Sequence, residues 1–361
     1  MKYFLCFSLL ISLACSREKQ PEPTAVSDRQ FAVQGIGNAV IIRSFLDLQN
    51  SVNTLNEFAT SYVYDSTNTE KLYTLRREWT NTVISWKLSS IFLKGKLSED
   101  IKSAAFYPAA NITAIEKVIS SDTSKIDLAY VQALPENATG LAAIEYLIYG
   151  TNQGDDESVI SAFNATGSRR GSFLRALCQD LKQQSDQLMY HWSIAGDAYI
   201  NKFMASGGNA RSESLGVLTD NIISTISIIK DERVGLPLGI NQGKSQPELV
   251  ESKYGGQSIN FIRAELQGIE QIFSGKRTNK VGINALYWLL DQDNAKSGDV
   301  KLSSIIEAQF ADIFSKLDLI KSPLEQAVVS NPKQVADFYE SLSKLQLLVQ
   351  NDMVTSLKFQ D

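Results

Sequence analysis

Glu145 stands in an otherwise apolar stretch, Gly140-Leu-Ala-Ala-Ile-Glu-Tyr-Leu-Ile148, with Ile144 and Leu147 around it. A carboxylate placed there is expected to be buried, and a buried charge needs a partner. Two kinds would serve: a bound cation or ligand, or an arginine or backbone amide with a structural role. Gly140, at the head of the stretch, permits a helix start or close packing. Further on, Glu251, Ser252 and Ser258 offer a carboxylate and two hydroxyls that could line a cleft, although helix capping explains the serines as well. The one histidine, His191, lies beside Trp192. A single imidazole cannot assemble a His-rich zinc site with three protein ligands. Any Ser-His-Asp triad would have to use it, and no Gly-x-Ser-x-Gly elbow is present. Cys178, next to Leu177 on an apolar face, reads as an inert core thiol. The acidic runs Asp155-Asp156-Glu157 and Asp291 to Asp299 lack calcium-loop spacing and read as solvated turns. Phosphate loops and dinucleotide fingerprints are absent. No catalytic residue is assigned.

The elements that must position these residues are helices. Leu174, Leu177, Leu181, Leu188 and Trp192 fall on one stripe, and Ile194, Tyr199 and Phe203 extend it, so the spacing predicts one long helix over Ser172 to Ala205. Val335, Phe338, Leu342, Leu345 and Val349 repeat the pattern, with Asn331 as N-cap and Pro332 at the first helical position. Similar stripes run through Val40 to Phe58, Leu72 to Phe92, Leu215 to Ile229 and Ile259 to Phe273. Trp79 and Trp86, seven residues apart, share a face and read as core. Strand-like alternation is scarce, and the fold class is all-α. Gly140 to Ile148 can also be laid over Gly282 to Leu290, matching glycine, alanine and aromatic positions. This points to two similar helical bundles from an internal duplication, residues 35–205 and 209–361, with the boundary at Ser206-Gly207-Gly208.

At the N-terminus, Lys2 precedes an apolar run, Phe4 to Leu13, too short to span a bilayer. The run ends in Leu13-Ala14-Cys15, so residues 1–15 read as a lipoprotein signal with Cys15 lipidated. Residues 16–34, polar and carrying Pro21 and Pro23, are expected to be a flexible tether. Of three cysteines only Cys178 would then remain as a free thiol, so no disulfide is expected. Net charge is −5 with both signs interspersed, which argues against nucleic acid as a partner.

Leu134-Pro135 followed by Thr139-Gly140-Leu-Ala-Ala-Ile-Glu145-Tyr-Leu-Ile-Tyr-Gly150 resembles the signature region of the imelysin-like proteins, also called the insulin-cleaving membrane peptidase family. Trp79 and Trp86, the segment Leu215 to Gly239 ending in Asp231-Glu-Arg-Val-Gly-Leu-Pro-Leu-Gly239, and Glu251-Ser252 with Ser258 leading to Phe273 fit the same resemblance. It implies a two-lobed helical fold, an extracytoplasmic and lipid-anchored location, an association with iron uptake, and a peptidase label. The family motif is Gly-x-His-x-x-Glu, whose imidazole and carboxylate converge from one helix face, a geometry suited to iron or another divalent cation. Here its positions are Gly140, Ala142 and Glu145, so the histidine is missing and Glu145 is the one metal-ligand position left. The expectation is therefore a non-catalytic binding component of iron or metal uptake. It would be anchored through Cys15 in the periplasm or at the cell surface, on the outer membrane, with the uptake machinery as partner and a cleft between lobes at Gly140, Glu145, Glu251, Ser252 and Ser258. The alternatives are a metallopeptidase and a surface interaction module without a small ligand.

Overall fold

Helix α1 (Asp28–Ile36) begins where the Ser27 side chain accepts a hydrogen bond from the Gln30 amide, satisfying one of the free N–H groups of the first turn. The computed structural model describes residues 27–94, 107, 109–121, 125–150, 155–165, 168–276 and 284–360; Cys15 and the signal segment lie outside them. The tether expected through residue 34 ends earlier. Ala32 and Val33 are fully buried inside α1, and this apolar contribution outweighs the polar composition around them.

A π-helical turn, Gly37–Ile41, carries α1 into α2 (Ile42–Tyr64). The combined helix, Asp28–Tyr64, is long and apolar enough to cross a membrane. Its Phe45, Leu48, Val52 and Leu55 are spent on the core instead. Asn68 caps α3 (Thr69–Ser89), which packs along α2. Asn111 and Asp127 cap the short α4 (Ile112–Ser120) and α5 (Leu128–Gln132). Then come α6 (Gly140–Tyr149), α7 (Asp156–Ala165) and α8 (Ser168–Trp192), the last against the other side of α2.

The single helix expected over Ser172 to Ala205 is broken. The chain turns after Trp192, passes a left-handed Ala198 (φ 54°), and restarts as α9 (Tyr199–Ala205). The turn brings Tyr199 and Phe203 back onto the indole of Trp192, at ring separations of 4.8 and 6.0 Å. Gly196 fits there because a Cβ would lie 2.0 Å from the Tyr190 carbonyl oxygen.

In the second half, α10 (Ser214–Ser227) runs through a π-helical segment, Ile228–Gly235, into α11 (Leu236–Leu238), closed by a left-handed Gly239. There follow α12 (Ser258–Ser274), α13 (Leu286–Gln292), and a hairpin of β1 (Lys296–Ser297) with β2 (Val300–Lys301). The chain continues with α14 (Leu302–Leu319), α15 (Leu324–Ser330), α16 (Pro332–Leu347) and, after a π-helical turn, α17 (Val354–Leu357). Pro332 opens α16 as expected; Asn331 holds the cap position without a side-chain bond to the helix. That hairpin is the one sheet among the described residues, and the fold is all-α.

One contiguous buried cluster runs through both halves, with α3 lying against α12 and α1 against α13. Helix α6 starts at Gly140, whereas α13 starts at Leu286, which the repeat alignment sets opposite Ile144; Gly282 itself is outside the described residues. The first and last described helices meet: Arg29 donates to the Leu357 carbonyl and stacks over Phe359 at 5.4 Å, while Ala210 bridges Gln360.

Candidate functional site

The site begins with a backbone requirement. Thr139 is extended, and α6 starts at Gly140 with φ of 74°, a left-handed conformation in which a Cβ crowds the following carbonyl. Gly140→Ala is therefore expected to cost about 1–2 kcal/mol, read from urea unfolding with an unchanged m-value. A variant as stable as the parent would sink this account of the glycine.

Five residues on, Glu145 is 2% exposed. Its Oε1 accepts from Ser252 Oγ (2.7 Å), the Gly255 amide (2.8 Å) and the Tyr254 amide (3.2 Å), and its Oε2 accepts from the Tyr107 hydroxyl (3.0 Å). Burial pushes the carboxyl above its ordinary range, and these four donors pull it part of the way back. The loop that supplies them is fixed from below. Ser258 Oγ, at the start of α12, accepts from the Ser252 amide, and Ser252 Oγ accepts from the Gln257 amide. Gly255 lies so close that a Cβ would stand 3.2 Å from Glu145 Oε1 and from the Trp79 ring. Trp79 itself donates to the Leu141 carbonyl at 2.8 Å, tying α3 to α6.

A buried ionic cluster adjoins this point. Lys87 Nζ, on α3 and 2% exposed, lies 2.5 Å from Glu251 Oε1 and 3.2 Å from Glu265 Oε1. Arg233, carried by the π-helical segment after α10, pairs with both of the same carboxylates. Two cations thus face two anions, and burial is repaid only because each oxygen–nitrogen contact is close. Burial alone would raise Glu265, but Arg233, Lys87 and Lys94 together outweigh it and hold the carboxyl below the usual range. Lys94, bonded to Thr225 at 2.8 Å, is pushed down to about 8 by burial. Tyr107 joins the two groups, since its hydroxyl reaches Glu145 while its ring sits 5.3 Å from Lys87 Nζ. Burial first, then the charges of Glu145 and Glu251, drive its phenol well above the ordinary value.

The structure therefore brings Glu145, Glu251, Ser252 and Ser258 to one junction between the halves, with Gly140 one helical turn away. At Glu145 that junction is packed shut rather than open as a cleft. Ala142, at the motif histidine position, is itself buried. Among the described residues no group of three His, Cys, Asp or Glu side chains could hold a metal ion. His191 is elsewhere, 3.1 Å from Asp197 and stacked on Tyr199. Cys178 is buried, and burial pushes its thiol far up. Asp156, expected in a solvated turn, instead pairs with the buried Arg76 at 2.5 Å.

Sequence reasoning missed Lys87, Glu265, Arg233 and Tyr107. A signal did exist for the first two. Lys87 falls four residues after Val83 and Glu265 four after Phe261, each on the apolar stripe of its helix, where a charge has to be paired.

The family model described as Imelysin matches residues 41–349. An imelysin-like protein from Psychrobacter arcticum 273-4 superposes with a TM-score of 0.66 at 15% identity, covering 94% of this chain and 98% of that one. A candidate iron-regulated protein A precursor from Parabacteroides distasonis ATCC 8503 superposes with a TM-score of 0.72 at 14% identity, covering 95% and 97%. No curated protein matches the sequence significantly.

Proposed function

The chain belongs to the imelysin family, and from that premise we propose that it is a non-catalytic binding component of iron-linked uptake, held outside the cytoplasm by a lipid on Cys15. One observation carries the non-catalytic part of this reading: Glu145 is satisfied by the protein's own donors, and Glu251 and Glu265 are paired with its own cations. A hydrolytic metal centre needs ligands with free lone pairs and an open position for water. Glu145 spends both oxygens on four donors, and the Lys87 ammonium sits between Glu251 and Glu265 where a cation would have to go. With Ala142 at the histidine position, the residues present do not fit a metal at Glu145. The iron link rests on the family and on the naming of the Parabacteroides protein as iron-regulated. It would operate through an iron carrier or an uptake protein recognised on the outer surface.

The test is a thermal melt of the full mature protein with ferric iron, ferrous iron or zinc, and with a chelator. Binding at a hundredfold excess over the dissociation constant would add about 2.7 kcal/mol of stability, so a specific ion site could not be missed. The expected result is no saturable change in melting temperature with any ion or with chelator. A saturable rise in the parent that is lost in Glu145→Gln would overturn the proposal and restore the metal-site reading.

A further inference from the structure

We propose that the notch beside the π-helical segment Ile228–Gly235 is a docking site for one arginine side chain of a protein partner. The site lies in the second half, shares no hydrogen bond with the carboxylate junction, and holds whether or not that partner serves iron uptake. A cavity of about 210 Å³ opens here between the π-helical segment, α11, the loop after Gly239 and Tyr339 of α16. That is below the roughly 300–1,000 Å³ of cavities that enclose a drug-sized ligand, and it suits the end of one long side chain.

The local backbone keeps this space open. Gly235 stands in the wall without a side chain; a Cβ there would lie 3.1 Å from Tyr339 and 3.8 Å from Ile240, both of which line the notch. The π-helical segment carries Asp231 and Glu232 into the lining, and Leu236 and Ile240 add apolar surface. These two side chains are 42% and 43% exposed, so apolar area is left open to solvent beside acidic groups. A free cation would leave that area uncovered, whereas a side chain rooted in a partner's surface brings its own cover.

Charge selects the occupant. The lining carries two carboxylates and no cationic side chain. Asp231 is already paired, with Lys230 Nζ at 2.7 Å, and accepts from the Ser227 and Tyr339 hydroxyls at 3.1 and 3.4 Å. Glu232 has no hydrogen bond or ion pair among the described residues. Lys94, which lies within electrostatic reach of it, spends its ammonium on Thr225 instead. The surroundings already hold one cation against an aromatic face, since Lys230 Nζ lies 5.2 Å from the Tyr339 ring centre. Gly235 and Leu236 also belong to the last turn of the helical run begun at Ser214, the end that carries partial negative charge. Guanidinium suits this lining better than ammonium. Its planar fork can pair with both oxygens of a carboxylate, it is less strongly hydrated, and arginine is enriched at protein interfaces where lysine is depleted.

The experiment is a saturation-transfer NMR titration of the full mature protein at low ionic strength. The probes are a capped Leu-Arg-Leu tripeptide, the same peptide with citrulline in place of arginine, and N-acetyl-arginine amide. It is run on the parent, Glu232→Gln and Leu236→Ser. Glu232→Gln neutralises an exposed side chain that no bond engages and should fold as the parent does; Leu236→Ser trims the apolar wall. The expected result is saturable binding of the arginine tripeptide to the parent, weakened roughly three- to tenfold by citrulline or by Glu232→Gln and a few-fold by Leu236→Ser. No saturable binding, equal binding of the arginine and citrulline peptides, or equal binding by the parent and Glu232→Gln would overturn the proposal. N-acetyl-arginine amide binding as tightly as the tripeptide would overturn it too, in favour of a free guanidinium ligand.

Discussion

Lys87→Met is expected to destabilise the protein by about 3–5 kcal/mol, because it strips one of two cations from a buried pair of carboxylates. In the parent, Glu251 and Glu265 share Lys87 and Arg233, and Glu251 Oε2 already lacks a hydrogen-bond partner. With methionine in place, one guanidinium must serve both anions across a dry interface. Urea unfolding measures the loss, and the double variant Lys87→Met/Glu251→Gln should recover more than half of it, since removing both members of a pair is far less costly than removing one. A Lys87→Met protein within 1 kcal/mol of the parent would mean that water reaches the cluster. Acid behaviour gives a second readout. Glu265 is held below its ordinary range, so its contribution is complete above that range and is lost as pH falls through the lowered value. Lys87→Met raises that value and moves the acid-side loss of stability to higher pH.

Glu145→Ala should be nearly as damaging, at about 3–5 kcal/mol, or about 6–10 °C in melting temperature. The substitution leaves two buried backbone amides, the Ser252 hydroxyl and the Tyr107 hydroxyl without their acceptor. Glu145→Gln behaves differently. Its carbonyl oxygen can keep the three donors from the 252–255 loop while its amide donates to Tyr107, so it should cost no more than about 1 kcal/mol. The pH profile separates the two effects. Burial raises the Glu145 carboxyl, so the folded protein holds this proton more tightly than the unfolded chain. The charging penalty is absent below the ordinary carboxylate value and grows as pH rises through the raised one. In Glu145→Gln that fall in stability above the ordinary carboxylate range disappears. An alanine variant as stable as the glutamine variant would show that this loop does not depend on the carboxylate.

What could be read from the sequence was what local spacing controls. The stripe Leu72, Leu75, Trp79, Val83 and Trp86 announces α3 because a 3.6-residue period must face a core. The apolar setting of Glu145 announces its burial in the same way. The break at Trp192 was invisible because the apolar stripe continues through it; the contact of Trp192 with Tyr199 and Phe203, not local propensity, decides where the helix ends. The partners of Lys87 were hidden for a related reason. They lie 164 and 178 residues away in the chain, and no periodicity within one helix specifies which distant carboxylate will arrive. Residues 28–34 failed in the opposite direction: their composition is polar, yet Ala32 and Val33, with Ile36 one turn on, dock the helix.

The contact between α1 and residues 357–359 has a consequence for how the protein is made. Helix α1 is synthesised long before its partners, since Arg29 finds its acceptor at Leu357 and its ring at Phe359. Closing a loop of more than three hundred residues is entropically costly and contributes to a high mean contact separation, both of which slow assembly. Until residues 357–360 arrive, Arg29 lacks its carbonyl acceptor and its aromatic ring, while the apolar face of α1 already has α9, α10 and α13 to pack on. A chain truncated by a few C-terminal residues is therefore not simply shorter. It has lost the clasp on Arg29, and α1 is the helix whose fraying such a product would show first.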